Sequence, residues 1–578
     1  MITNPGDQMP SPALPAAPSW LRRHRLPLVA GGAVVAIGAV SASAALVLLA
    51  KPVNSVEVMV PATADVLVLA NLDPSVTQKL NLARVLHRFP ATQDDKAISD
   101  ALDKALKDTG LSYSTDLKPW LGEELGVSAR LNYDSSADST GVVYAVSRDD
   151  TKAQAFLARL RSAGVGKTMH WREEAYGGFT ISVGTPNRST DKPAAYSYVN
   201  HVAVIATSSA MIREVIDTEQ GRAARLVESA NYKATMSGLP SDRVGLAYVN
   251  GASIVVGIKK QLAKAPSLSK PIMGNVADLE AFVGIGAALS ATSSGISADL
   301  RLKLDQSKLS PATRAALGKG GHPGTVLTWI PKRTDAFLAV GNLNRSVQML
   351  LDASKSDPSI VGSTNALGLT GPAGMLSHLT GDAAVEAQLG SGSTPSGALL
   401  LATDDSRALS AFFNKLLTLG SSMGSSLLPG SSPALRAPAA PAKTSTTTYR
   451  GVVITTTTSP SAAPAILAPA YAAFDGMGVL GSNLAAVEAV IDAHRGTDPI
   501  SADPTYKAAM ASSLANPSAV VYLNVGSLVD AARRLSTKSV PSAVETQALG
   551  AVAPIKAVTL TSVGQGDGLL ERLFLVIN

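Results

Sequence analysis

The longest apolar run of the chain, LPLVAGGAVVAIGAVSASAALVLLA, covers Leu26 to Ala50 and carries no charge. A helix crosses the hydrocarbon core of a bilayer with roughly 20 apolar residues, so the run predicts a transmembrane helix over residues 26–50. Arg22, Arg23, His24 and Arg25 stand just before it and a single Lys51 follows. Arginine excess stays on the cytoplasmic side, which puts the N-terminus inside and the body outside the cytoplasm. Residues 1–25, with Pro5, Pro10, Pro12, Pro15 and Pro18, read as a short disordered tail. The competing reading is a signal peptide cleaved at Ala42-Ser43-Ala44. The segment LVLLA continues the apolar run past that site, which favours an uncleaved anchor.

Beyond Lys51 the apolar positions change rhythm. GVVYAVS from Gly141, SGALLLATDD from Ser396, FTISVG, AAYSYVNHVAVIATS and GVVITTTT are short runs rich in β-branched residues and read as strands. VGIGAALSATSSGISADLRLKL from Val283 reads as a hairpin of long strands. Helical segments fall irregularly between them, so the expected fold class is α+β, mostly antiparallel sheets with helices on one face.

The same order of segments occurs twice. VPATADVLVLANLDPSVTQKL from Val60 matches IPKRTDAFLAVGNLNRSVQML from Ile330, and SRDDTKAQAFLARL from Ser147 matches TDDSRALSAFFNKL from Thr403. IREVIDTEQG from Ile212 matches VEAVIDAHRG from Val487, NYKATM matches TYKAAM, and LAYVNGASIV matches VVYLNVGSLV. Five matches in the same order, offset by about 255 to 275 residues, indicate an internal duplication. The expected architecture is a transmembrane helix followed by two tandem, diverged units, residues 56–305 and 326–578, with a linker at 306–325. The second unit carries a Ser-, Pro-, Ala- and Thr-rich insertion, 421–448, whose counterpart is the short stretch Ala163 to Met169; its composition predicts disorder.

Within each unit a proline, a strand and a polar residue opening a helix recur twice. The polar residues are Asp73, Asn250, Asn344 and Asn524. Their side-chain oxygens suit a helix N-cap, and Pro74 after Asp73 suits the first helical position. They are assigned as structural caps.

Composition narrows the chemistry. The chain has no cysteine, which removes disulfides, iron–sulfur clusters, thiolate zinc sites and a cysteine nucleophile. A net charge of +6 over 578 residues is too small and dispersed for nucleic acid. Gly166-Lys167-Thr168 resembles the end of a phosphate-binding loop, but Arg161 stands where that motif needs glycine. Gly420-Ser421-Ser422-Met423-Gly424 has the spacing of a serine-hydrolase elbow, yet a helix precedes it where a strand is required. The seven histidines are scattered singly, giving little support for zinc, and His201 reads as a solvent-facing strand residue. Asp149-Asp150 and Asp404-Asp405 stand where a strand passes into a helix, so capping explains them; Glu123-Glu124 has only Asp382 as counterpart. No catalytic, cofactor-binding or metal residues are assigned, and no cofactor is expected.

The opening PATADVLVLANLD, Trp120-Leu121-Gly122 and the closing YVN and YLN strands resemble those of an uncharacterised bacterial family, domain-of-unknown-function family thirty-three fifty-two. The resemblance covers nearly everything after Lys51 and departs at Leu379-Thr380-Gly381, where only the glycine is kept. It implies an N-terminal membrane segment with a long α+β extracytoplasmic region, and no activity. The functional expectation is a non-enzymatic cell-envelope scaffold or binding protein whose partners are the bilayer, through residues 26–50, and an envelope protein or an apolar ligand such as a lipid. The alternative is an envelope hydrolase with a site between the two units. Protease added to intact cells is expected to remove the body; a body that survives until lysis overturns this topology.

Overall fold

The computed structural model describes residues 56–578, apart from 90–98, 104–110, 134–138, 188–192, 265–275, 352–361, 390–394, 424–442, 459–467, 536–549 and a few shorter gaps. The expected anchor and tail lie outside the described residues. No described helix is long and apolar enough to cross a membrane.

The first half contains β1 (Val66–Asn71), α1 (Val76–Leu86), β2 (Leu121–Arg130), β3 (Thr140–Ser147), α2 (Asp150–Leu160), β4 (Met169–Tyr176), β5 (Phe179–Pro186), β6 (Ala194–Val199), β7 (Val202–Ala206), α3 (Ser209–Glu219), α4 (Ala230–Met236), β8 (Gly245–Asn250), α5 (Gly251–Lys264), β9 (Phe282–Thr292) and β10 (Gly295–Leu304). Two short helices, α6 (Pro311–Leu317) and α7 (Gly324–Leu327), connect it to the second half. There follow β11 (Ala336–Val340), β12 (Leu379–Gln388), β13 (Ser396–Thr403), α8 (Ser406–Met423), β14 (Lys443–Tyr449), β15 (Val452–Thr458), β16 (Ala470–Phe474), β17 (Met477–Gly481), α9 (Leu484–His494), α10 (Pro504–Met510), β18 (Ala519–Asn524), α11 (Val525–Leu535), β19 (Ile555–Gly564) and β20 (Gly568–Ile577).

The twenty strands among the described residues join one antiparallel sheet. Its spatial order is β4-β5-β6-β7-β3-β2-β1-β8-β9-β10 and then, through β10 against β20, β20-β19-β18-β11-β12-β13-β17-β16-β15-β14. The second half repeats the first in reverse spatial order, as a two-fold axis through the β10–β20 seam requires. The two units expected as tandem domains are therefore halves of one sheet.

The equivalence extends to single bonds. Asn250 N–H donates to the Asp65 carbonyl at 2.7 Å, and Asn524 N–H to the Asp335 carbonyl at 2.7 Å. The Asp65 and Asp335 carboxylates receive the amides of Leu131 and Leu389, at 2.8 and 2.6 Å. Tyr176 and Tyr449 donate their hydroxyls to Asp217 and Asp492. An edge-to-face pair, Tyr232 with Tyr248, recurs as Tyr506 with Tyr522.

One face of the sheet is covered by α3, α4, α9 and α10. Ile212 and Ile216 of α3 pack on Leu67, Tyr144 and Val204 of the sheet, all buried. Under α9 and α10 lie Phe337, Leu400, Val479 and Tyr522, with Val490 of α9 packed among them. Burial of such side chains contributes about 1.5–3 kcal/mol each. Contact with α4 needs glycine at one point: a Cβ on Gly286 would lie 2.9 Å from Met236 Sδ and 3.1 Å from the Thr235 carbonyl oxygen. Helices also reach the opposite face. There α2 covers Tyr196 and Ala203, α8 covers Leu401 and Tyr471, and α1 covers Leu289, Ala291 and Ile296. The expectation of helices on one face is corrected, because these strands are apolar at both alternating positions and each face seeks cover.

Two further boundaries differ from expectation. The insertion 421–448 is helical up to Met423 and forms strand β14 from Lys443, since Thr444, Thr446, Thr447 and Thr448 are β-branched and pair with β15. Residues 424–442 lie outside the described residues. The linker 306–325 contains α6, whose start is held by Asp278: its carboxylate accepts the Ser310 amide at 2.6 Å and the Ser310 hydroxyl at 3.0 Å.

At the seam Asp299 stands directly opposite Arg572. Asp299 pairs Ala288, which pairs Leu246; Arg572 pairs Thr561, which pairs Val520. The two residues thus hold equivalent places, and the pseudo-two-fold axis passes between them. Arg572 Nε donates to Asp299 Oδ1 at 2.6 Å, with Asp299 2% exposed. Removing one partner of a buried ion pair costs about 3–5 kcal/mol. Arg572→Leu is expected to lower stability by about 3 kcal/mol, given its partial exposure. The swap Asp299→Arg with Arg572→Asp should recover part of that loss in denaturant titrations. Additive effects of the two changes would mean that the pair is not coupled.

Candidate functional site on the open face of the sheet

Between α1, α2 and α8 the second face keeps several apolar side chains of its middle strands exposed, while α5 and α11 contact β9 and β19. Alternation places Val143, Val127, Val68, Ala247, Ala287 and Leu300 in one row across β3, β2, β1, β8, β9 and β10. The equivalent row in the second half is Leu399, Val385, Leu338, Val521, Leu560 and Leu573. Six of these twelve side chains are more than a third exposed: Val127 44%, Val143 38%, Leu300 37%, Leu338 45%, Val385 54% and Leu573 38%. Val127 and Val385 are equivalent, as are Leu300 and Leu573. Strands spaced about 4.8 Å apart make this a strip about 50 Å long. Ala247 within the strip is buried, and the exposed members make this face a candidate binding surface. On the covered face, the depression lined by Pro61, Thr63, Arg130, Met211 and Glu214 encloses about 10 Å³, room for about one water.

The four residues assigned from sequence as caps lie away from this strip. Asn250 accepts the Ala252 amide at 3.1 Å, and Asn524 accepts the Ser527 amide at 3.1 Å, each at the start of its helix. At α1 the cap is Ser75, whose hydroxyl accepts the Gln78 amide at 3.2 Å. Asp73 is instead fully buried and ion-paired with Lys79; Pro74 precedes the cap, so the helix opens two residues later than the Asp-Pro pair suggests. Asn344 lies inside the first helical turn after β11 and donates to the Leu379 carbonyl at 3.2 Å, tying that turn to β12.

The acidic pairs divide their work. Asp149 caps α2 through the Lys152 amide at 3.1 Å, and Asp405 opens α8 by accepting the amides of Arg407 and Ala408 at 2.9 Å. Glu124 accepts the Val56 amide at 2.9 Å, and Asp382 accepts the Thr325 and Val326 amides at the equivalent place. Burial nevertheless raises the Asp382 carboxyl above its usual range. His201 is not in a strand. It occupies the β6–β7 turn at φ 66°, where the second half has Gly476 at φ 77°. Its Nδ1 lies 2.7 Å from Asp150, which also accepts the Tyr198 hydroxyl at 2.5 Å. The hydrogen bond from Tyr198 is the main cause that lowers the Asp150 pKa. Among the described residues no three His, Asp or Glu side chains gather as a metal site.

Sequence reading missed the open strip. The signal was present in VLVLAN, GVVYAVS and VVYLN, which are apolar at both parities in an antiparallel setting, where one wet face would show polar alternation. It also missed Glu386, which burial pushes up to about 7 while Thr334 and Gln388 donate to one of its oxygens. Its unfolded-state value is near 4.3. The folded protein therefore binds the proton more tightly than the unfolded chain, and stability falls as pH rises from about 4.5 through 7. Glu386→Gln is expected to be stabilising at pH 8 by about 3 kcal/mol and nearly neutral at pH 4.5. Equal effects at both pH values in chemical denaturation would contradict this.

A family described as protein of unknown function (DUF3352) matches residues 26–426 and again residues 371–570. No curated protein matches the chain. Among solved structures, crystal form III of TP0453 is similar at 13% identity, covering 46% of this chain and 86% of that one, with a TM-score of 0.22. Crystal form I gives 11%, 46%, 84% and 0.23. Likeness at this level carries no information about function. The double family match, spread over both halves of the sheet, makes this chain a member of the DUF3352 family.

Proposed function

We propose that this protein is a non-enzymatic envelope protein, held at the cell membrane by residues 26–50 with its body outside the cytoplasm, and that it binds a lipid or another apolar envelope component on the open face of its sheet. The observation that carries this reading is the strip itself: the same half-exposed apolar row occurs in both halves and meets at the seam. Covering the six exposed side chains contributes about 1 kcal/mol each, before the cost of association.

Position supports a lipid as the occupant. The described body begins at Val56, and residues 51–55 reach at most about 20 Å beyond the end of the apolar run. A body tethered so closely meets lipid at high effective concentration, which offsets modest affinity. A hydrolase between the halves is the weaker reading. The seam is occupied by Asp299–Arg572, Arg301–Asp567 and Lys303–Asp567 ion pairs, groups that hold the halves together.

The test is extraction of the full chain from its native membrane in polymer nanodiscs, followed by mass spectrometry of lipids retained after exchange into phosphatidylcholine discs. The wild type is expected to keep about one lipid per chain. Val127→Asp with Val385→Asp, both at exposed positions, is expected to lose it at least about fivefold without a change in denaturation midpoint. A lipid profile identical in both proteins would overturn the reading.

A further inference from the structure

On the open face of the four central strands β9, β10, β20 and β19, the one charged residue within the regular pairing, among the described residues, is Glu571 on β20; Glu123 on β2 and Lys556 on β19 share its face by parity but sit at register irregularities. It stands opposite Leu300 on β10 and opposite Ser562 on β19, with Leu569 and Leu573 two positions away on its own strand. Its equivalent in the first half is Ala298, so the duplication placed no acid there; this one is specific to the second half. The basic residues of the seam, Arg301, Lys303 and Arg572, alternate onto the covered face and are engaged by Asp567 and Asp299. Among the described residues the Glu571 carboxylate has no hydrogen-bond or ion-pair partner.

A carboxylate set among leucines, next to the pseudo-two-fold axis, becomes costly once it is covered without a counter-group. Covering the strip with a purely aliphatic molecule would impose that cost in full. A ligand that carries a cation or hydrogen-bond donor at its polar end would remove it, since charge-assisted hydrogen bonds are about twice as strong as neutral ones. Resting on the reading of the strip as a lipid-binding surface, we propose that Glu571 is the polar anchor of the site. The occupant is then an amphiphile with an aliphatic body and an amine at its polar end, such as an amine-headed lipid. Its apolar part lies along the Leu300 and Leu573 rows and its cation at the seam. Anionic amphiphiles are disfavoured, because two carboxylates would face each other in apolar surroundings.

The experiment uses the full chain in phosphatidylcholine nanodiscs with three photoreactive diazirine probes of equal length: a hexadecyl amine, the alcohol and the carboxylic acid. Labelled peptides are mapped by mass spectrometry. The amine is expected to label β10 and β20 peptides at least about fivefold more than the acid, with the alcohol between. Glu571→Gln should keep the labelling and abolish the amine preference. Glu571→Leu should give the same loss of preference and shows whether the effect is charge rather than fold. Labelling of these peptides by all three probes alike, or an amine preference that survives Glu571→Gln, overturns the anchor while leaving the apolar surface standing. Absence of labelling on the strip by every probe overturns both.

Discussion

Everything above the level of a single half depends on one strand pairing, β10 against β20. It converts two ten-stranded sheets into a continuous ladder, so the backbone groups of both strands are satisfied without either being an edge. The pairing places equivalent residues face to face on the axis. In a dimer of identical units, position 299 would meet its own copy, and a charge there would meet the same charge. The chain instead has Asp299 on one side and Arg572 on the other. Divergence after duplication turned the position where symmetry forbids a charge pair into the place where one is made, and it thereby specifies which half pairs with which.

The seam also sets the character of the two faces. On the covered face, α3 and α4 with their counterparts α9 and α10 seal an aromatic and aliphatic core around Tyr144, Tyr248, Phe337 and Tyr522. On the other face α2 and α8 cover the flanks and α1 covers one end of β9 and β10, and the row from Val143 to Leu399 is left half-covered. Sheets that are apolar on both faces are ordinarily closed by a second layer. Here the second layer leaves Val127, Val143, Leu300, Leu338, Val385 and Leu573 partly exposed. The edges are treated differently: β4 reads MHWREEAY and β14 reads KTSTTTY, charged or threonine-rich strands that discourage further pairing.

Much of this was written in the sequence at short range. The matched segments IREVIDTEQG and VEAVIDAHRG fall in α3 and α9, NYKATM and TYKAAM in α4 and α10, and the YVN and YLN strands become β8 and β18. What stayed hidden was non-local or depended on fine backbone geometry. The pairing of Asp299 with Arg572 joins residues far apart in the chain, and no periodicity reports it. The cap of α1 fell to Ser75 rather than Asp73 because helix starts are decided by one or two residues of backbone. His201 looked like a strand residue because apolar neighbours alternate around it, while its φ of 66° places it in the turn between two strands. The strip could have been inferred from strands apolar at both parities, but the choice between a second helix layer and an open face is made by connection lengths that composition does not encode.

The length of the ladder has a geometric consequence. Adjacent strands rotate by roughly 20–25°, so the twelve strands carrying the apolar strip turn through on the order of two-thirds of a revolution. A surface wound to that degree cannot lie against a plane. A flat bilayer could touch only a few neighbouring strands at once, and a second rigid sheet would have to share the same winding. On the proposed reading, a slender, flexible hydrocarbon chain can follow the spiral from one half to the other, so the winding of the sheet would select an occupant by its stiffness as well as by its polarity.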